Sequence, residues 1–186
     1  EIPLRLVGSE MCIRDRFQAE VDHLEKIQGQ RISMDGRAVR LSSLVRSHGT
    51  MMTQGLAVTP LLAGWDESAH RGRIFSYDGT GGQTEEHSHA CVGSGALFAS
   101  DVLNEGYRTG MDRDESVALA IRALDAAISD DSPSSLSGPD LSRGLYPTVA
   151  CADSRGVTRM PTEEVAVLAK WLADQVTAES DREEAQ

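Results

Sequence analysis

Three short segments, beginning with GLAVTPLLAGWD at Gly55–Asp66, set the fold class of this chain. The first segment is too short, and too interrupted by its central proline, to form a helix, so it predicts a buried strand. Arg71–Tyr77 and Gln83–Val92 flank DGTGG at Asp78–Gly82, a composition typical of a hairpin turn. Strands that follow one another directly predict an antiparallel sheet.

Helical periodicity precedes this sheet region. It predicts two helices, and Ser33 or Asp35 is expected to cap the second one. The apolar stripes of the two helices are Phe17, Val21, Leu24 and Ile27, then Ala38, Leu41, Leu44, Val45, His48, Met51 and Met52.

The second half of the chain again contains paired helices and adjoining strands. A helix over Ala96–Tyr107 follows a Gly-Ser-Gly turn, and a polar loop at Ser129–Arg143 precedes a hairpin that turns at Asp153–Gly156. Thr162 is expected to cap a last helix. The predicted buried faces of the last two helices are Val117, Ala120, Ile121, Leu124 and Ala127, then Val165, Leu168, Ala169, Leu172 and Val176. This order predicts two antiparallel sheets between layers of helices.

Composition narrows the class of protein. The chain has 186 residues, which suits one domain, and a net charge of −11, which argues against binding to nucleic acid or anionic membranes. No apolar stretch is long enough to cross a bilayer, and Glu1–Gly8 lacks the features of a signal peptide. Cys12, Cys91 and Cys151 have no C-x-x-C spacing, which favours a reducing compartment, so the cytoplasm is expected.

Residues 1–16, EIPLRLVGSEMCIRDR, show no clear helix or strand period. The run LVGSEMCIRDR is similar to translated sequencing-adapter read-through, and an ordinary flexible N-terminus is the alternative. We therefore expect a non-native segment at 1–16, a domain at 17–180 and a polar tail at 181–186.

Three groups of side chains invite a chemical interpretation. On a strand, His87 and His89 would point to the same face and could bind a metal, but no third ligand accompanies them, so solvated histidines are predicted. Cys91 and Cys151 are expected to be small buried hydrophobes. The turn Gly93-Ser94-Gly95 opens a helix and could hold an anion, although the rest of a phosphate-loop pattern is missing.

Taken together, these pieces resemble the β-type subunits of the actinobacterial 20S proteasome. The resemblance rests on GLAVTPLLAGWD, the Val92–Gly95 turn and GPDLSRGLYPTV at Gly138–Val149, with support from VDHLEKIQG at Val21–Gly29 and MDGRAVRLSSLV at Met34–Val45. It covers residues 17–180. It implies an α+β fold, the four-layer αββα sandwich of N-terminal-nucleophile hydrolases, here without its first strands.

The resemblance also implies an activity, that of a threonine endopeptidase. In this family the hydroxyl of an N-terminal Thr attacks the peptide carbonyl, and its own α-amine acts as the base, because the amine has a pKa near 7.7–8.0. A Lys and an Asp assist, and backbone N–H groups stabilise the oxyanion. No metal or organic cofactor is implied.

Only supporting residues of that site map onto this chain. The family's Ser maps onto Ser94, and its Asp and the hydroxyl residue three places later map onto Asp131 and Ser134; Asp130 or Ser135 could take these two roles instead. The nucleophilic Thr, the other Asp and the Lys would lie upstream of Phe17, so this chain itself is expected to be inactive.

The resemblance implies partners as well. These are other β subunits and the α-ring subunits of a heptameric-ring particle, and indirectly a ring ATPase that delivers unfolded or pupylated proteins. The alternatives are a non-catalytic ring subunit, of α type or inactive β type, and an unrelated α/β binding domain.

Overall fold

The computed structural model describes residues 9–47, 59–129 and 144–172. Five helices and five strands lie in these ranges: α1 (Ser9–Gln28), α2 (Met34–Ser47), β1 (Leu61–Asp66), β2 (Arg71–Tyr77), β3 (Gln83–Glu86), α3 (Ala96–Gly106), α4 (Arg113–Ser129), β4 (Ala150–Asp153), β5 (Gly156–Arg159) and α5 (162–172). Strands β1, β2 and β3 form one antiparallel sheet in sequence order, and β4 pairs with β5 in a second sheet. The chain divides into two compact units, residues 1–90 with 152–156 and residues 91–151 with 157–186.

The first unit packs α1 and α2 against the three-stranded sheet. The part of the predicted α2 stripe that the structure describes, Ala38, Leu41, Leu44 and Val45, is confirmed by the burial of these residues. Ser33 caps the helix, since its Oγ accepts a hydrogen bond from the Gly36 N–H at 3.1 Å. The buried core residues of this unit are Ile13, Met34, Ala38, Leu41, Val45, Phe75 and Tyr77.

Helix α1 begins earlier than the periodicity predicted. It starts at Ser9, and Ile13 is only 3% exposed within the core, four residues before the half-buried Phe17. The expectation of no helical period in residues 1–16 is therefore wrong for residues 9–16; the non-native origin of that segment stays a prediction. Ile27, predicted to be buried, is instead exposed.

The β2–β3 turn is held by one carboxylate. Asp78 Oδ1 accepts hydrogen bonds from the Thr80 N–H, the Thr80 hydroxyl and the Gly82 N–H. Gly81 has a φ of +83°, and a Cβ there would lie 2.7 Å from the Ser42 carbonyl oxygen on α2. Since the Ser42 hydroxyl also donates to the Gly81 carbonyl, the turn is fixed against α2 as well as between its strands.

A single guanidinium joins the three strands to α2. Arg73 on β2 donates to Asp66 at 2.8 Å, to Glu85 at 2.7 Å and to Asp35 at 2.9 Å, which lie on β1, β3 and α2. It also lies 4.8 Å from the ring centroid of Phe75. The Arg73 side chain is 11% exposed and that of Asp66 is 5% exposed, so this pair is largely removed from water.

The network stabilises the ionised forms of its carboxylates. Hydrogen bonds from the Ser68 hydroxyl and from Arg73 hold the pKa of the Asp66 carboxyl far below its usual range. The hydrogen bond from Arg73 likewise lowers the pKa of Glu85. Both carboxylates therefore contribute to stability in their charged state.

The second unit packs α4 and α5 with the segment that leads into β4 and with Met160, which follows β5. Its buried core residues are Val117, Ala118, Ile121, Met160, Val165, Ala169 and Leu172. The face predicted for α4 is partly wrong, because Ala120 and Leu124 are exposed while Leu119 and Ala123 are buried. Leu119 lies where a Cβ on Gly106 of α3 would be, so α4 has a second buried face towards α3.

Other boundaries also differ from the sequence predictions. Strand β3 ends at Glu86 rather than at Val92. The carbonyl of Pro161 accepts the first backbone hydrogen bonds of α5, so Pro161 occupies the cap position predicted for Thr162. The predicted core residues outside the described ranges are His48, Met51, Met52 and Val176.

Replacing Arg73 with alanine is expected to lower the free energy of unfolding by roughly 2–3 kcal/mol, because three carboxylates lose their shared cation. Urea unfolding followed by circular dichroism measures this loss. Arg155→Ala is the control: Arg155 binds Asp153 with its side chain 88% exposed, so no measurable change is expected. Equal losses in the two variants would contradict the assigned role of Arg73.

Stability should also fall in acid, in part through Asp66. A carboxyl whose pKa is lower in the folded state contributes fully above its unfolded pKa of about 3.9 and loses that contribution as the pH falls further. The free energy of unfolding, measured in urea from pH 6 to pH 3, should therefore decline less steeply in Asp66→Asn than in the unchanged chain. Parallel declines would show that Asp66 does not carry this linkage.

Candidate functional site

The turn that contains Ser94 connects the end of the first sheet to α3. Ser94 is exposed, and its hydroxyl has no hydrogen-bond partner among the described residues. Gly93 has a φ of +115°, a backbone conformation that favours glycine. Helix α3 begins after Gly95 without a side-chain cap, so backbone N–H groups of its first turn are not occupied by a cap.

Gly95 fixes this turn against the last part of α4. A Cβ on Gly95 would lie 2.7 Å from both the Cβ and the carbonyl oxygen of Ala127, closer than real Cβ contacts, so only glycine fits. Ala127 lies two residues before α4 ends at Ser129. The structure thus brings the residue after Ser94 into contact with the helix end that leads into residues 130–143.

The other predicted site residues lie outside the described residues. They are Asp131 and Ser134, with the alternatives Asp130 and Ser135. Of the three predicted supporting residues, the structure therefore describes only Ser94.

The histidine and cysteine predictions have mixed outcomes. His87 lies in a bend after β3 and His89 in irregular backbone beyond it, so the geometry in which both rings share a strand face is wrong. The Ser88 hydroxyl lies 3.1 Å from His89 Nδ1. Within residues 9–47, 59–129 and 144–172, no three His, Cys, Asp or Glu side chains are grouped to hold a metal. Cys91 and Cys151 are half-buried, and burial raises the pKa of the Cys91 thiol.

Sequence reasoning missed the contact between Gly95 and Ala127. The Gly-Ser-Gly turn signals a tight start to α3, but a glycine in a turn does not reveal which helix lies against it. Periodicity predicts that Ala127 belongs to the buried face of its helix, but it does not predict that Ala127 contacts this turn.

None of the described helices is long and apolar enough to cross a bilayer.

Comparisons with known proteins identify the family. A family model described as Proteasome subunit matches residues 10–138, more than half of the chain. The chain is 39% identical over 165 residues to the proteasome subunit beta of Streptomyces griseus, an alignment that covers 89% of this chain and 58% of that protein. It is also 39% identical over 159 residues to the proteasome subunit beta of Jonesia denitrificans, covering 86% and 52%.

The chain thus spans between half and three fifths of the length of these relatives. The resemblance found in the sequence is confirmed, and the two antiparallel sheets with their helices are consistent with the α+β sandwich of N-terminal-nucleophile hydrolases. By its sequence and its fold, this chain belongs to the proteasome subunit family.

Proposed function

We propose that the intact protein is a catalytic β-type subunit of a 20S proteasome core, a threonine endopeptidase that degrades unfolded or tagged proteins inside a closed chamber. The family match and the β-subunit names of its relatives support this. The observation that carries the catalytic role is the contact of Gly95 with Ala127, because it holds Ser94 beside the end of α4.

Chain connectivity supports a shared site for the three supporting residues. Asp131 lies four positions after Ala127, so chain connectivity limits the distance between their Cα atoms to about 14 Å. Ser134 follows three residues later. A loop that leaves α4 next to Ser94 is therefore able to bring a carboxylate and a second hydroxyl to the same place.

These groups suit the positioning of an α-amine. A hydroxyl both donates and accepts hydrogen bonds, and a carboxylate accepts them, so Ser94, Asp131 and Ser134 can hold the amine of an N-terminal Thr next to that residue's own hydroxyl. The amine is partly neutral at cellular pH and takes the hydroxyl proton as the oxygen attacks the peptide carbonyl. Asp130 and Ser135 remain the alternatives for the last two positions.

The proposed partners follow from this role. Other β subunits and α-ring subunits would surround the chain, and a ring ATPase would deliver unfolded or pupylated protein to the particle in the cytoplasm.

A non-catalytic ring subunit is the second candidate. It would share the fold and the assembly but would have no use for an aligned amine. The retained Ser94 turn and the Asp131–Ser134 spacing favour the catalytic subunit.

In the intact, assembled protein, Ser94→Ala is expected to lower kcat on the order of 10²-fold with little change in KM, because a misplaced amine impairs proton transfer rather than substrate binding. Peptide hydrolysis under steady-state conditions measures both constants. Ser88→Ala removes a nearby hydroxyl that contacts His89 and should leave kcat unchanged. An unaltered kcat in Ser94→Ala would refute the supporting role.

Sequencing the 5′ end of the gene from fresh genomic DNA tests the catalytic assignment directly. We expect the frame upstream of Phe17 to encode a propeptide, a Gly-Thr junction and then an Asp and a Lys. If the genome instead encodes residues 1–16 as given, without such a Thr, the non-catalytic ring subunit becomes the better description.

A further inference from the structure

The two glycines beside Ser94 serve different purposes. Gly93 has a φ of +115°, a conformation that residues with a Cβ rarely adopt. Gly95 has a φ of −85° and a ψ of 11°, which any residue adopts readily at the third position of a type I turn. The backbone at position 95 therefore does not require glycine. The limit there is space, because a Cβ would lie 2.7 Å from both the Cβ and the carbonyl oxygen of Ala127.

Ser94 and Gly95 move together because they share one tight turn. The Gly93 carbonyl accepts a hydrogen bond from the Ala96 N–H at 3.2 Å, so Ser94 and Gly95 are the two central residues of that turn. The Gly95 carbonyl also accepts a hydrogen bond from the Ala99 N–H at 3.2 Å, which joins the turn to the first residues of α3. A displacement of Gly95 is thus passed to Ser94, one peptide bond away.

We propose that Gly95 and Ala127 are positioning residues of the proposed peptidase site, and that their close contact sets how near the Ser94 hydroxyl lies to the chain that leaves α4. Neither residue supplies a functional group. A hydrogen atom at position 95 and a methyl group at position 127 set the distance, so a larger side chain at either position moves the turn away from the helix end. This inference rests on the proposed function, because it assigns the turn no separate activity.

A small displacement is enough to disturb such a site. A Cβ at position 95 would meet the backbone of α4, which cannot swing aside as the end of a flexible side chain can. Because ordinary carbon contacts are at least 3.5 Å long, the turn and the helix end would have to separate by roughly 1 Å. A misplacement of about 1 Å costs on the order of 10²-fold in rate where the displaced group aligns the reacting atoms.

Two substitutions enlarge the contact from opposite sides. In the intact, assembled protein, Gly95→Ala and Ala127→Val are each expected to lower kcat roughly 10- to 100-fold with little change in KM, as measured by steady-state peptide hydrolysis. Gly110→Ala is the control, because Gly110 has a φ of +88° and a Cβ there meets nothing within 4 Å. It strains the backbone of the same unit without reaching the turn, so urea unfolding should show lower stability while kcat stays unchanged.

Combination with Ser94→Ala distinguishes positioning from general damage. If Gly95 acts through Ser94, adding Gly95→Ala to Ser94→Ala should lower kcat no further, whereas independent effects would multiply. Ala127→Val should behave in the same way, and it decides the matter if Gly95→Ala does not assemble.

The outcomes separate this inference from the proposed function. Multiplied losses, full kcat in Gly95→Ala and Ala127→Val, or an equal loss of kcat in Gly110→Ala would overturn the positioning role and leave the assignment of Ser94 intact. Full kcat in Ser94→Ala would instead contradict the supporting role of Ser94 in the proposed function, and the positioning role would fall with it.

Discussion

The ion network around Arg73 is the constraint on which the described sheet depends. One guanidinium neutralises carboxylates from three different elements, and it does so at a site where two of the side chains are largely removed from water. Three acids around one base would repel one another strongly without that base. The Ser68 hydroxyl and the backbone N–H groups of Ser68 and Ala69 donate hydrogen bonds to the Asp66 carboxylate. These bonds explain why a charged group can be buried at the end of β1. The sheet and α2 are therefore joined by charge as well as by apolar packing.

The same elements are joined a second time at the β2–β3 turn. Asp78 closes the turn, and Gly81 brings it within contact of Ser42 on α2. Buried Tyr77 adds a third connection, because its hydroxyl donates to the Ala38 carbonyl of the same helix. Polar bonds at both ends of β2 thus fix how α2 lies on the sheet, while the apolar residues between them fill the core.

Local signals explain which features could be predicted. Turn composition, the Ser33 cap and apolar periodicity are properties of a few neighbouring residues, and they located the hairpins and most helices. Burial depends on what packs from outside the segment, which the sequence of one helix does not contain. Ile13 is buried because α1 extends back to Ser9, and Leu119 is buried because Gly106 leaves room for it. Strand β3 stops before His87, although the segment continues with residues that suit a strand.

The candidate site likewise combines features that the local sequence predicts with a contact between distant residues that it does not predict. The Gly-Ser-Gly turn and its place before a helix were readable from the sequence, and the structure confirms both. The contact of Gly95 with Ala127 was not readable, because it joins residues 32 positions apart through the absence of a side chain. That contact gives Ser94 its significance: an exposed serine in a turn is common, but this one lies beside the helix end from which the chain continues to Asp131. The turn that contains Ser94 and the end of α4 are thus far apart in sequence and meet through a close approach that only glycine permits.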